Sequence, residues 1–111
     1  VTPQIDKARA ASAGMLAFYI GRMGTFYAAQ LTRLGYGEAV EAVKKAWEGG
    51  SRAAGEAVPD QLVDATGWVG SVEEGIERLQ AQEACGVDLH HVNVQAEDDK
   101  EFEQVLTKLV V

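Results

Sequence analysis

The sequence has little of what marks secreted, membrane or nucleic-acid-binding proteins. It holds one cysteine, Cys85, so no disulfide can form within the chain and nothing indicates an oxidising compartment. Its longest apolar run, residues 14–21, is far shorter than a bilayer span and lacks the flanks of a secretory signal. Ten basic residues against 17 acidic ones give a net charge of -7, which argues against nucleic acid or an anionic membrane as a partner. We therefore expect a cytoplasmic protein that binds neither.

Aromatic residues are also scarce, at 7% of the 111 residues, while alanine and glycine are plentiful. This composition predicts helices that pack closely over small side chains. The hydrophobic fraction of 47% and charged fraction of 24% are those of an ordinary globular protein, and the length suffices for one domain with a modest core. We expect Cys85 to be a small buried residue in the last turn of a helix.

The clearest local signal lies between residues 59 and 94. Ser71 and Glu74 have the spacing of a capping box, in which each side chain accepts from the other residue's backbone N–H. An apolar face at helical spacing follows, made by Val72, Ile76 and Leu79. Gly86 is expected to end this helix, and the β-branched residues of Val87–Val94 predict a strand directly after it.

Apolar spacing predicts further helices on both sides of this stretch. Their approximate bounds are residues 5–20, 25–34, 38–48, 51–58, 60–65 and 98–110, with a break at Gly21–Gly24 and a turn at residues 35–37. Neither face of the predicted strand is consistently polar, as expected for a strand covered on both sides in a parallel sheet. A single strand cannot satisfy its own backbone, so its neighbours must come from an absent part of the chain or from another copy. The chain is therefore predicted to be a piece of something larger.

Two polar residues stand where the predicted strand ends. In parallel α/β folds the functional groups gather at the carboxyl ends of strands, which makes Asn93 and Gln95 the candidates for cofactor binding. The alternative is that both residues cap the loop.

A second candidate site surrounds the glycine break. Tyr19, Met23, Phe26 and Tyr27 are candidates for an apolar substrate pocket, and the alternative is that they form the core between two helices.

We predict no metal site and no catalytic residue. His90 and His91 are adjacent on the predicted strand and would point to opposite faces, so they cannot easily share one ion. His91 is interpreted as a core histidine. The sequence holds no Ser-His-Asp order, nucleophile elbow or phosphate loop, and Gly21-x-x-Gly24 is too short for a dinucleotide fingerprint.

Five short stretches follow one another in consistent order along nearly the whole chain. They are YIGRMG at residues 19–24 with FY close behind, RLGY at 33–36, VPDQLVD at 58–64, VGSVEE at 69–74 and ACGVD at 84–88. Together they resemble the C-terminal part of the luciferase-like monooxygenase superfamily, which are flavin- or deazaflavin-dependent oxidoreductases. The first stretch resembles the deazaflavin-using (F-420 type) branch, except that Arg22 stands where that branch commonly has a second glycine.

The resemblance implies a fold that is mostly α with one β-strand, the C-terminal fragment of a (β/α)8 TIM barrel. Residues 1–66 would be the helical region between strands seven and eight, and residues 67–111 the last helix–strand–helix unit of one incomplete domain. The parent would transfer hydride with a deazaflavin or FMN. The fragment is expected to bind no cofactor, to be inactive alone, and to pair with the rest of the barrel or with a second copy. The alternative function is a free-standing acidic helical module for protein interactions.

Overall fold

The computed structural model describes residues 1–110, and all of its regular structure is helical. The helices are α1 (Ile5–Arg22), α2 (Phe26–Leu31), α3 (Gly37–Ala46), α4 (Ser51–Glu56), α5 (Asp60–Thr66), α6 (Val72–Ala84) and α7 (Asp99–Leu109). A kinked turn, Thr32–Tyr36, joins α2 to α3, and a short 3-10 turn, Trp47–Gly49, follows α3. The residue Val111, which our predicted domain includes, lies outside the described part of the chain.

The chain divides into two compact units, and the division falls inside α1. The helical unit is Arg9–Trp68, which holds most of α1 and the helices α2 to α5. The terminal unit joins Val1–Ala8 to the chain from Val69 onward, and so contains α6 and α7.

The prediction of a strand at Val87–Val94 is wrong. Residues 87–96 form no regular structure, and no β-strand is present anywhere in residues 1–110. The reason is that a strand exists only as part of a hydrogen-bonded ladder. Apart from the Val87 N–H, which donates to Gln82 in the turn after α6, the described backbone offers this segment one partner residue, Val1, through two hydrogen bonds.

The predicted capping box at the start of α6 is confirmed. The Ser71 hydroxyl accepts from the Glu74 backbone N–H at 3.2 Å, and the Glu74 carboxylate accepts from the Ser71 N–H at the same distance. Gly86 ends the helix as expected, with a φ of 94° that favours glycine over any other residue. Cys85, however, is exposed rather than buried.

The helical unit has a core of aliphatic and small side chains. Its most buried members are less than 2% exposed and come from four helices: Ala17, Ile20, Val40, Val43, Ala54 and Leu62. Gly55 would place an added Cβ 3.4 Å from the Cα of Gly14, so the backbones of α1 and α4 approach each other closely. This confirms the expectation that the helices pack over small side chains.

Trp47, which directly follows α3, packs against α1 within the helical unit. Its indole N–H donates to the carbonyl of Ala17 at 2.9 Å, and the guanidinium of Arg22 lies 4.6 Å from the ring centre. A Cβ at Gly21 would overlap the indole. Gly21 is therefore a contact glycine inside α1, and the chain breaks instead at Gly24, where φ is 73°.

Arg9 ties the N-terminal part of α1 to α5. Its guanidinium donates to Asp64 at 2.9 Å and to Asp60 at 3.2 Å. These two carboxylates raise the pKa of Arg9 above its ordinary value, chiefly through the hydrogen bond to Asp64.

Candidate functional site

Val1 pairs with the segment around Val94 in a parallel arrangement. The Val1 amino group donates to the carbonyl of Asn93 at 2.7 Å, and the Gln95 N–H donates to the carbonyl of Val1 at 3.1 Å. In a parallel ladder a residue hydrogen-bonds to the two residues on either side of the one opposite it. Val1 bonds in this way to the two neighbours of Val94. Partial burial lowers the pKa of the Val1 amino group. The two segments therefore run in the same direction at this point.

Parallel pairing brings the loops after Val1 and Val94 to the same edge. These loops line a small cavity of about 60 Å³ that is partly open to solvent. Its lining residues are Thr2, Gln4, Lys7, Gln95, Ala96 and Glu97. We call this the terminal cavity.

Hydrogen bonds hold the walls of the terminal cavity in place. Thr2 is 1% exposed, and its hydroxyl accepts from the Gln4 N–H at 3.0 Å, so the first loop turns directly into α1. In the second loop the Glu97 N–H donates to the Glu101 carboxylate at 2.6 Å, while the Asp98 side chain caps α7 by accepting from the Glu101 N–H at 2.8 Å.

Lys7 and Glu97 carry the charges of the terminal cavity. Their side chains are 75% and 64% exposed, and the ammonium and carboxylate are 4.0 Å apart. An exposed pair at this distance contributes about 0–1 kcal/mol, so both groups are free to meet a ligand. The cavity can offer hydrogen bonds and one charge of each sign, but it holds no nucleophile with a neighbouring base.

The structure separates the two residues predicted to bind cofactor. Gln95 lines the terminal cavity, whereas Asn93 is outside the lining and contributes its backbone carbonyl to the pairing with Val1. Sequence reasoning missed Thr2, Lys7 and Glu97. The rule that selected Gln95, namely that polar residues after a parallel strand gather at one edge, would also have selected Thr2 and Gln4, had the pairing of Val1 been known.

Three of the four residues predicted for a substrate pocket, Tyr19, Phe26 and Tyr27, contact one another in the helical unit. The rings of Tyr19 and Tyr27 are 4.8 Å apart at their centres, and those of Phe26 and Tyr27 are 5.7 Å apart. Phe26 is 70% exposed, and Met23 and Tyr27 are also exposed. The interpretation as helix–helix core is therefore wrong for Met23, Phe26 and Tyr27, whereas Tyr19 is half-buried. The role of all four in a substrate pocket stays a prediction.

The two histidines differ in their surroundings. His91 is exposed, so its interpretation as a core residue is wrong, while His90 is the more buried of the two. Within residues 1–110 no three His, Cys, Asp or Glu side chains lie close enough to hold a metal ion. No helix in that range is both long and apolar enough to cross a membrane.

Comparison with known proteins decides the family. The family model described as luciferase-like monooxygenase matches residues 1–89, which is most of the chain. The chain belongs to the luciferase-like monooxygenase family. Gln95, Ala96 and Glu97 of the terminal cavity lie beyond the stretch that this family model matches.

A curated relative in the luciferase-like family comes from Mycobacterium tuberculosis and is provisionally named as a coenzyme F420-dependent oxidoreductase. It is 36% identical over 92 residues, which cover 76% of this chain and 26% of the relative. The match thus spans about a quarter of the relative's length. No solved structure matches the chain significantly.

The terminal cavity does not fit the cofactors of the luciferase-like family. Sites for drug-sized ligands are about 300–1,000 Å³ and mostly apolar. The terminal cavity has only about 60 Å³ and is partly open to solvent. The described residues could contact the polar edge of a flavin or deazaflavin but do not enclose its ring, so we derive no hydride-transfer step from them.

Proposed function

We propose that the chain is the C-terminal part of a flavin- or deazaflavin-dependent oxidoreductase built as a TIM barrel. In this proposal Val1 ends the seventh strand, residues 5–66 are the helical region before the eighth, Val87–Val94 takes the place of strand eight, and α7 closes the barrel. The relative's name favours a deazaflavin over FMN in the parent. The fragment would bind no cofactor and would be inactive alone.

One observation carries this proposal, the parallel pairing of Val1 with the segment around Val94. Parallel neighbours in one sheet require a crossover connection, usually helical, and residues 5–84 supply six helices between the paired segments. The pairing also explains the terminal cavity, because in TIM barrels the loops after the strands form the active-site face. Asn93 and Gln95 would lie at that face in the parent.

Cofactor titration tests the proposal. The 111-residue chain is mixed with deazaflavin or FMN and binding is followed by fluorescence, alone and with the part of the Mycobacterium tuberculosis relative that lies outside the match. We expect no binding by the chain alone and binding by the mixture. Tight binding by the chain alone would contradict the proposed position of the site.

The oligomeric state of the chain tests the proposal that it pairs with a second copy. In the absence of the rest of a barrel, we propose that the open edge of residues 87–94 pairs with a second copy, which makes the chain self-associate. Light scattering is expected to show a dimer or larger species. A sharply melting monomer would instead favour the alternative function, an acidic helical module whose Arg9–Trp68 unit already has its own core.

A further inference from the structure

His90 folds back onto the last turn of α6. After Ala84 the N–H of Gly86 donates to the Glu83 carbonyl at 2.9 Å, and the N–H of Val87 donates to the Gln82 carbonyl at 3.1 Å, which is the pattern of a Schellman turn. The turn reverses the chain. It brings the His90 ring against the side chains of Gln82 and Glu83.

Both ring nitrogens of His90 face an oxygen atom. Nδ1 lies 3.2 Å from Oε1 of Gln82, and Nε2 lies 3.6 Å from Oε1 of Glu83. The ring is 15% exposed, and Nε2 is buried without a hydrogen-bond partner, the one such side-chain atom found in residues 1–110. A buried polar atom without a partner requires an explanation.

Counting protons supplies that explanation. The Gln82 amide turns its oxygen toward the ring, and an amide oxygen can only accept, so we assign the proton to Nδ1. A neutral imidazole has one N–H, which leaves Nε2 with a lone pair directed at the Glu83 carboxylate. Two acceptors then face each other, and no hydrogen bond can form.

We propose that His90 is a protonation-dependent clasp between residues 87–90 and the C-terminal end of α6. When Nε2 gains a proton it donates to Glu83, while Nδ1 continues to donate to Gln82, and the second hydrogen bond is charge-assisted. The positive ring also lies at a helix C-terminus, where the helix dipole favours a cation. Glu83 is the charged group that the described contacts place against the ring, and Gln82 is its neutral partner.

The clasp controls the segment that pairs with Val1. It closes when the His90 ring carries both protons and opens when the ring is neutral, so residues 87–90 are held to α6 in the first state and released in the second. The proposal concerns the described chain and does not depend on its parent enzyme.

The ring tautomer gives a test that needs no substitution. In a long-range ¹⁵N–¹H spectrum of the 111-residue chain at pH 8, we expect the neutral ring of His90 to carry its proton on Nδ1. His91, which is exposed, is the internal control and is expected to show the Nε2–H form that dominates for free imidazole. A proton on Nε2 of His90 at pH 8 would overturn the proposal.

The Glu83→Gln variant tests the charge without removing the acceptor. At pH 5.5 we expect it to lower the Tm by about 4 °C and to speed hydrogen exchange at residues 88–90 about tenfold. At pH 8 we expect neither loss, because the new amide can donate its N–H to the Nε2 lone pair. In a His90→Gln background the same substitution should have no pH-dependent effect, whereas in His91→Gln the effect should remain. An equal loss at both pH values would show a merely structural contact and would overturn the proposal.

Discussion

The two units of the chain differ in where the hydrogen-bond partners of their backbone groups come from. The helical unit, Arg9–Trp68, does so within its own helices and buries Ile20 and Val43 almost completely. The terminal unit has two helices of its own, but it also has the segment 87–94, whose described backbone bonds reach α6 at Val87 and Val1 near Val94. A helix carries its hydrogen-bond partners in its own sequence, whereas an extended segment depends on residues supplied from elsewhere.

The largest difference between the two units should appear in hydrogen exchange. Amides of Ile20, Val43 and Leu62 are buried in helices and are expected to exchange only with global unfolding, a cost of about 5–15 kcal/mol for a domain. Amides of residues 91–93 are expected to exchange close to the rate of an unstructured peptide. Native-state exchange followed by mass spectrometry or NMR measures both, and comparable protection in the two segments would abolish the contrast.

A glycine pair in α1 tests how tightly the helical unit is packed. Gly21→Ala should cost about 1–3 kcal/mol because the added methyl group overlaps Trp47. Gly14→Ala is the control, because a Cβ there meets nothing within 4 Å, and it should stabilise α1 by up to about 1 kcal/mol. Urea denaturation measures the change in the free energy of unfolding for each variant. Changes of the same sign in both would disprove the Trp47 contact.

A serine pair tests the capped helix of the terminal unit. Ser71→Ala removes the acceptor for the Glu74 N–H and should cost about 1 kcal/mol. Ser51→Ala is the control, since Ser51 begins α4 without a side-chain cap bond. Thermal unfolding of both variants is expected to show a lower Tm for the first alone.

The smallest expected effect concerns an exposed ion pair in the terminal unit. The Glu73 pKa is lowered first by a hydrogen bond from its own backbone and then by Lys108, whose ammonium lies 3.2 Å away. Because the folded pKa is lower than the unfolded one, the stabilisation is present above the unfolded value and is lost as pH falls through the folded value. Lys108→Gln should lower the Tm slightly at pH 7 and not at pH 2.5, whereas Lys100→Gln should change it at neither pH.

Local signals predicted much of the fold. The capping box of Ser71 and Glu74 and the helix end at Gly86 depend only on residues a few positions apart, so both could be predicted from the sequence. Gly21 and Gly24 were predicted to break the chain together, but one is a close contact with Trp47 and the other is the true break. A glycine can serve for a close contact or for a positive φ, and the sequence around it looks the same in both cases. The residue that distinguishes the two, here Trp47, is distant along the chain.

The candidate site was predicted only in part for the same reason. Gln95 was found from its position after Val94, but Thr2, Lys7 and Glu97 line the terminal cavity only because Val1 pairs more than 90 residues along the chain. The burial of His90 rather than His91 likewise depends on how the turn at Gly86 returns the chain to α6.

By itself, the sequence determined the helices, their caps and the resemblance to the luciferase-like family, because periodicity, capping residues and short motifs act over a few residues. The tertiary structure decided that Val87–Val94 is not a strand, that its end pairs with Val1, and which glycine and which histidine make contacts. Such decisions rest on groups that are distant in sequence, and a backbone donor or acceptor takes up a regular structure only where its partner is actually present.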